Sequence, residues 1–195
     1  MKATVPALSP ILRSNAQGDI LALLFMNEGE EYSLADISRR VRALPATVHR
    51  EVERLVASGT LTDRMVGRAR LVRANTHDRM YLPLYDLLQL SYGPKAVLEP
   101  LLCALPGIEQ AFVYGSWAAR YSGEIGAPPQ DVDVLVVGTT PRERLESLAR
   151  EAQLRLRREV NVNRVSADEW AKQTQPFITT VRSRPLVELD VKGLA

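Results

Sequence analysis

Cysteine and histidine are scarce in this sequence, and neither sign of charge is in large excess. The 195 residues include 1 cysteine and 2 histidines, so an intramolecular disulfide is impossible and no His/Cys cluster has the spacing of a zinc site. Lysine and arginine total 25 against 23 acidic residues, which gives a net charge of +2. Because a bulk positive charge is absent, any nucleic-acid site must be confined to one part of the chain.

Long apolar runs are absent as well. No stretch reaches the ~18 uninterrupted apolar residues of a membrane-spanning helix, and segment 1–10 lacks the apolar core of a signal peptide. We therefore expect no membrane partner and a cytoplasmic location. A hydrophobic fraction of 46% and a charged fraction of 25% are typical of globular proteins. The length suits one large domain or two small ones.

The distribution of charged residues along the chain changes near Gly93 and Pro94, which indicates two modules. Residues 1–93 hold 12 basic and 10 acidic residues, and the basic surplus lies between Asp36 and Asn75, where nine arginines accompany four acids. We predict an α+β protein with three segments, namely an N-terminal domain over 1–78, a helical connector over 79–105 and a C-terminal domain over 106–195.

Three helices are predicted in the N-terminal module. Apolar residues recur at helical spacing within 19–25. Ser33 is an N-cap candidate for a second helix, with Asp36 at the capping-box position. Pro45 is typical of a first helical position, where its missing N–H is harmless, and it predicts the start of a third helix.

A basic hairpin is predicted after these helices, with strands over 61–65 and 70–74. Three helices followed by such a hairpin resemble a winged helix-turn-helix domain, over about residues 14–75. In that domain the third helix lies in the major groove and the hairpin contacts phosphates beside it, which implies double-stranded DNA as a partner. The alternative is a protein-docking domain with a solvated basic face. The candidate DNA contacts are Thr47, His49 and Arg50 on the helix and Arg64, Arg68, Arg70 and Arg73 on the hairpin.

The connector is predicted to contain two apolar helices, Met80–Tyr92 and Lys95–Ala104, separated at Pro94. Winged-helix proteins commonly recognise two-fold half-sites, so we expect a homodimer in which these helices take part. Core packing is the alternative role for their apolar residues.

The second module begins with an apolar strand over 111–114 that leads directly into Gly115 and Ser116. A strand that ends in Gly-Ser and turns into a helix presents backbone N–H groups where phosphate oxygens bind. Asp131 and Asp133 follow, at the start of an all-apolar run. Residues i and i+2 of a strand share a face, so the two carboxylates point to one place and can hold Mg²⁺ or Mn²⁺ with nucleotide phosphates.

Strand, Gly-Ser, helix, loop, Asp-x-Asp and apolar strand in this order resemble the minimal nucleotidyltransferases of the polymerase beta superfamily, over about residues 95–190. The resemblance implies a mixed sheet with flanking helices. It also implies metal-dependent transfer of a nucleotidyl group from a nucleoside triphosphate, with release of pyrophosphate. The loop over 122–130 is longer than in the smallest members. The candidate residues are Gly115, Ser116 and Arg120 for the nucleotide and Asp131 and Asp133 for metal and catalysis, with an exposed helix residue as the alternative for Arg120.

The third carboxylate of this family is expected on the strand after the next helix. Here the helix predicted over 141–158 leads into Glu159, and alternation puts Asn161 at the position of the third acid. An amide cannot act as a base and binds metal less strongly than a carboxylate. We therefore expect slow or absent catalysis, with Glu159 as the substitute acid.

These features predict a DNA-binding transcriptional regulator whose C-terminal domain binds a magnesium nucleoside triphosphate, with transfer of a nucleotidyl group to an unidentified acceptor as its candidate reaction. One alternative is a nucleotidyltransferase of the resistance or toxin-antitoxin type that modifies a protein or RNA. The other is a catalytically inactive nucleotide sensor or antitoxin.

Overall fold

The computed structural model describes residues 6–124 and 129–192, and the chain divides into two units, Met1–Tyr92 and Gly93–Ala195. Each unit combines helices with a β-sheet, which confirms the α+β class. Positions 125–128 of the predicted long loop lie outside the described residues. Among the helices of the described ranges, none has both the length and the apolar content to cross a bilayer.

Unit 1 has the winged helix-turn-helix arrangement of helices followed by a β-hairpin. Its sheet has the strand order β1-β3-β2, and both pairings are antiparallel. The elements of its described part are α1 (Asn15–Phe25), β1 (Tyr32–Ser33), α2 (Leu34–Val41), α3 (Pro45–Ala57), β2 (Leu61–Val66), β3 (Ala69–Ala74) and α4 (Tyr81–Tyr92).

Local sequence determines where the helices of unit 1 begin. Ser14 and Ser33 cap α1 and α2, because each hydroxyl oxygen accepts a hydrogen bond from a backbone N–H of the first turn. Pro45 is the first residue of α3, as predicted. Arg42 ends α2 in the left-handed conformation, with φ of 52°.

The β2–β3 hairpin, which we call the wing, closes through a two-residue turn. Val66 pairs with Ala69, so Gly67 and Arg68 form the turn, and Gly67 has a φ of +59° that favours glycine. The predicted hairpin is therefore confirmed, with each strand one residue longer at the turn. Arg68 stands at the tip of the wing.

The predicted connector is divided between the two units. On α4, Tyr81 and Leu88 are buried in the core of unit 1, where the Tyr81 ring stacks on Phe25 at a centroid distance of 5.1 Å. Burying a leucine side chain such as that of Leu88 stabilises a fold by about 2 kcal/mol, so α4 is an integral part of unit 1. The next helix begins after Gly93 and belongs to unit 2.

Unit 2 is built on a mixed four-stranded sheet with the order β6-β5-β4-β7. Strands β5 and β6 are parallel, whereas β4 pairs antiparallel with both β5 and β7. The described elements are α5 (Pro94–Cys103), β4 (Ile108–Tyr114), α6 (Ser116–Tyr121), β5 (Asp131–Gly138), α7 (Arg142–Leu156), β6 (Glu159–Val165), α8 (Ala167–Lys172), α9 (Pro176–Arg182) and β7 (Val187–Leu189).

One face of this sheet changes from apolar to polar along the strands. At one end Leu135 and Val137 of β5 pack beneath Trp170 and Ile178 of α8 and α9. Asp133 precedes Leu135 by two residues and therefore lies on the same face, at the end that this packing leaves open. The alternation of β5 thus places acidic side chains beside, and not within, the core of unit 2.

Candidate functional site

The two aspartates of β5 converge on one point. Strands β5 and β6 pair in a register that puts Asn161 beside Asp133. The Asn161 amide Nδ2 donates to Oδ2 of Asp131 at 3.2 Å and to Oδ1 of Asp133 at 3.4 Å. One amide group therefore bridges both carboxylates, which shows that they point to the same place.

The site carries an excess of negative charge. Burial raises the pKa of Asp133, and the nearby carboxylates of Asp131 and Glu159 raise that pKa further, whereas the hydrogen bond from Asn161 lowers it. Two carboxylates held this close repel each other when both are ionised. A bound cation would remove that repulsion.

Gly115 brings the turn after β4 against these acids. Its φ of +71° and ψ of −145° are accessible to glycine and strained for other residues. A Cβ atom at this position would lie 2.7 Å from Oδ2 of Asp133. Ser116 follows as the exposed first residue of α6. The turn of Gly115 and Ser116, which we call the Gly-Ser notch, therefore lies next to Asp133. Asp131 and Asp133 are called the acid pair below.

The other two residues of the predicted site are less closely tied to the acid pair. Arg120 lies in the last turn of α6 and is partly buried, and its contact with phosphate stays a prediction. Glu159, the predicted substitute acid, is exposed and pairs in register with Asp131. Within the described ranges, no group of three or more His, Cys, Asp or Glu side chains is placed to hold a metal ion.

The oxygen donors of the two aspartates are chemically compatible with one divalent cation. Asp131 and Asp133 supply hard carboxylate oxygens from one face of a strand. Mg²⁺ prefers such oxygens and usually completes its coordination with phosphates and water. Because Asn161 is an amide, it adds no negative charge to those of Asp131 and Asp133, with which it forms hydrogen bonds.

Two aromatic side chains that no sequence motif indicated lie near the acids, Tyr114 and, packed against it, Phe177. Tyr114 pairs in register with Asp133, and its hydroxyl oxygen accepts a hydrogen bond from Nδ2 of Asn163 at 2.8 Å. Phe177 of α9 packs edge-on against the Tyr114 ring, with a centroid distance of 5.9 Å and an interplanar angle of 81°. Strand alternation could have placed Tyr114 and Asn163 on this face, but no local pattern indicated Phe177.

A buried arginine at the start of β6 was also not predicted. The Arg158 guanidinium lies over the Trp117 ring, 5.6 Å from its centroid, and donates a hydrogen bond to the carbonyl oxygen of Pro129. These contacts connect α6, the segment before β5 and the segment before β6. Arg158 therefore supports the backbone from which both aspartates project.

The predicted DNA-contacting residues form a second candidate site, on α3 and the wing of unit 1. His49 and Arg50 are exposed on α3, whereas Thr47 is partly buried. Arg68 is exposed at the turn of the wing. Within the described part of the chain, Arg50 and Arg68 have no ion-pair partner. Both guanidinium groups are therefore available for a charged ligand.

The other arginines of the wing are held in ion pairs within unit 1. Arg64 makes a two-pronged contact with Glu31, with Nε–Oε1 at 2.9 Å and Nη2–Oε2 at 2.5 Å. Arg73 lies 4.0 Å from the same carboxylate. The hydrogen bond from Arg64 lowers the pKa of Glu31. The single carboxylate of Glu31 therefore offsets one of these two positive charges, chiefly that of Arg64.

Arg70 is also neutralised, by two acids. It pairs with Asp63 across the wing, with Nε–Oδ2 at 2.6 Å, and with Glu53 of α3. Glu53 additionally lies 3.7 Å from Nε2 of His49. Arg70 therefore ties the wing to α3, and this contact orients the two elements of the candidate DNA-binding surface relative to each other.

Comparison with known proteins gives matches among solved structures. No protein-family model and no curated protein matches the chain. MepR, a transcription regulator of the Staphylococcus aureus multidrug efflux pump MepA, is 16% identical with a TM-score of 0.36, over 42% of this chain and 59% of MepR. ZitR, a zinc-responsive MarR family member from Lactococcus lactis, is 18% identical with a TM-score of 0.31, over 38% of this chain and 50% of ZitR.

A third similar structure is that of Bordetella bronchiseptica BpsR, whose DNA binding is regulated by 6-hydroxynicotinic acid. It is 22% identical with a TM-score of 0.31, over 45% of this chain and 68% of BpsR. The matched region thus spans between half and about two thirds of the length of the three similar proteins.

Proposed function

We propose that this chain is a transcriptional regulator that binds double-stranded DNA through unit 1 and a magnesium nucleoside triphosphate through unit 2. The observation that carries the first part is the position of Arg50 and Arg68, which are exposed on α3 and at the tip of the wing. These are the two elements of a winged helix that contact the duplex.

The two elements would make different kinds of contact with DNA. Thr47, His49 and Arg50 of α3 would contact base edges in the major groove, where an arginine can donate two hydrogen bonds to guanine. Arg68 would contact phosphate beside the groove. Arg64, Arg70 and Arg73 would contact DNA only by exchanging their carboxylate partners for phosphates.

The salt dependence of duplex binding tests this proposal. Each phosphate contact releases a counterion, so we expect the logarithm of the association constant to fall with the logarithm of salt concentration with a slope of about −2 or steeper. Fluorescence anisotropy of a labelled short duplex in a KCl series measures the slope. Failure to bind at low salt, or binding that salt does not weaken, would contradict the proposal.

The proposed regulator is a homodimer. Helix α4 leaves Leu82, Leu87 and Leu90 exposed by 67%, 49% and 71%, and Leu87 and Leu90 are three residues apart on one side of the helix. Covering such leucines with a second copy is favourable by about 1.5–3 kcal/mol each. Sedimentation velocity of the DNA-binding sample is expected to show a dimer, and a monomer at all concentrations would contradict this part of the proposal.

The second part of the proposal depends on the convergence of Asp131 and Asp133 beside the notch of Gly115 and Ser116. The two carboxylates would hold Mg²⁺ or Mn²⁺, and the N–H groups of the notch would donate to phosphate oxygens. A bound divalent cation would neutralise phosphate charge and polarise the phosphoryl group. Because Asn161 cannot accept a proton, the residues present support nucleotide binding better than nucleotidyl transfer.

The variant Asn161→Asp tests this distinction. A third carboxylate is expected to strengthen Mn²⁺ binding about tenfold and to lower the metal-free melting temperature, because it adds to an existing repulsion. Thermal unfolding across an MnCl₂ series measures both effects. Gln110→Glu is the matched control, since it adds the same charge at an exposed position of another strand of the sheet, four residues before Tyr114 and away from the acid pair.

Measuring the release of pyrophosphate by the same proteins distinguishes a nucleotide sensor from a nucleotidyltransferase enzyme. Release of pyrophosphate from a nucleoside triphosphate by Asn161→Asp, but not by the wild type, would show that the amide prevents transfer. Release by the wild type would identify a nucleotidyltransferase enzyme. Equal Mn²⁺ affinity in the wild type and both variants would contradict a metal site at the acid pair.

A further inference from the structure

A partly exposed aromatic side chain packs on Tyr114, the residue that pairs in register with Asp133. Phe177 is 39% exposed, whereas Ile178 and Val181 of the same helix are buried by contacts with the sheet. These two residues already anchor α9, so core packing does not account for a phenylalanine at position 177. The exposed part of an aromatic ring near such a site can stack on a planar ligand.

The ring beneath Phe177 is held in a fixed position. The Tyr114 hydroxyl accepts a hydrogen bond from Asn163, and the Tyr114 ring packs against the core cluster of unit 2. Phe177 meets this ring edge-on, which is a favourable geometry for an aromatic pair. The orientation of Phe177 is therefore supported by a neighbour that is itself held, and 39% of the Phe177 surface remains accessible to solvent.

The aromatic pair lies within the reach of a nucleotide bound at the acids. Tyr114 is directly opposite Asp133 in the antiparallel register, and such residues have Cα atoms about 4.5–5.5 Å apart. A triphosphate held at Asp133 and Gly115 therefore has its nucleoside within the neighbourhood of Tyr114 and Phe177.

We infer that Phe177, supported by Tyr114, is the platform on which the base of the nucleoside triphosphate stacks. This inference rests on the nucleotide site proposed above. It assigns a contact to the base, which is the part of the ligand that the acids do not contact. Stacking on an aromatic ring is available to every base and is stronger for larger rings. The site therefore accepts different bases and prefers purines to pyrimidines.

The test compares a ligand that has a base with one that has none. Calorimetric titrations of the full chain use MgATP and magnesium tripolyphosphate. Phe177→Ala is expected to weaken MgATP binding about 5- to 150-fold, the range for one stacked base, and to leave tripolyphosphate binding unchanged. Phe177→Trp is expected to keep or strengthen MgATP binding. Leu154→Ala is the matched control, because Leu154 is an apolar residue of α7 that is 61% exposed.

Each outcome decides the inference. Equal MgATP affinity in Phe177→Ala and the wild type would overturn the platform and leave the nucleotide site in place, and an aromatic acceptor would then be the better occupant. Equal weakening of MgATP and tripolyphosphate would also overturn it, since the effect would then be general to the site. A wild type that binds neither ligand would overturn the proposed nucleotide site together with the platform.

Discussion

The Asp133→Asn variant is expected to lose magnesium nucleotide binding and to gain thermal stability. Loss of a residue that only orients a metal ligand already lowers metal affinity about 10- to 100-fold, and loss of the ligand itself lowers it more. The affinity for the magnesium nucleoside triphosphate should therefore fall at least about 100-fold. The stability gain follows from the pKa of Asp133, which burial and the Asp131 charge raise in the folded state. An asparagine keeps the size of the side chain and removes the unfavourable charge.

The sign of the pH dependence follows from the same raised pKa. Between the pKa of Asp133 in the unfolded chain and its higher value in the fold, the native state binds more protons than the unfolded state. The contribution of this carboxyl to stability therefore falls as pH rises through that interval, and it is unfavourable at neutral pH. The wild type should gain stability relative to Asp133→Asn as the pH is lowered through that interval.

Thermal unfolding between pH 4 and pH 8 measures this prediction. At neutral pH without metal we expect the variant to melt about 2–5 °C above the wild type. Mg²⁺ with a nucleoside triphosphate should raise the melting temperature of the wild type only. Glu188→Gln is the control, since it removes an exposed carboxylate from another strand of the same sheet. A variant that melts lower than the wild type at neutral pH, or that still binds the nucleotide, would refute the predicted acid-pair site.

Replacing both Arg50 and Arg68 with alanine is expected to weaken duplex binding about 10- to 100-fold at moderate salt. Both side chains are exposed and have no ion-pair partner in the part of the chain that the structure describes. The slope of binding against salt should become less steep by about 1 for each lost phosphate contact. Anisotropy titrations in a KCl series measure the affinity and the slope.

Arg64→Ala is the matched control for the variant in which both Arg50 and Arg68 are replaced. It removes the same charge from the wing, but the guanidinium that it removes is held by Glu31. We expect a clearly smaller loss of DNA affinity than for either Arg50→Ala or Arg68→Ala. If Arg64→Ala weakens binding as much as the double variant, ion pairing within unit 1 does not determine which arginines contact DNA. Unchanged affinity in the double variant would remove α3 and the wing as the DNA-binding surface.

The sequence by itself determined the features that depend on neighbours a few residues away. A serine oxygen that accepts a hydrogen bond from the N–H three residues later caps a helix wherever the helix lies, so the start of α2 could be predicted from Ser33. Likewise, the side chains of a strand alternate, so Asp131 and Asp133 had to share a face. The wing turn at Gly67 follows from the same local rules.

Only the tertiary structure decided which distant groups meet. Glu31 neutralises Arg64 from 33 positions away, and Asn163 holds Tyr114 from 49 positions away. Such contacts depend on strand register and on how helices pack, which are set by the whole core and not by any local pattern. For the same reason the sequence showed a row of arginines and a pair of acids, whereas the fold determined which arginines form ion pairs and placed Phe177 against Tyr114.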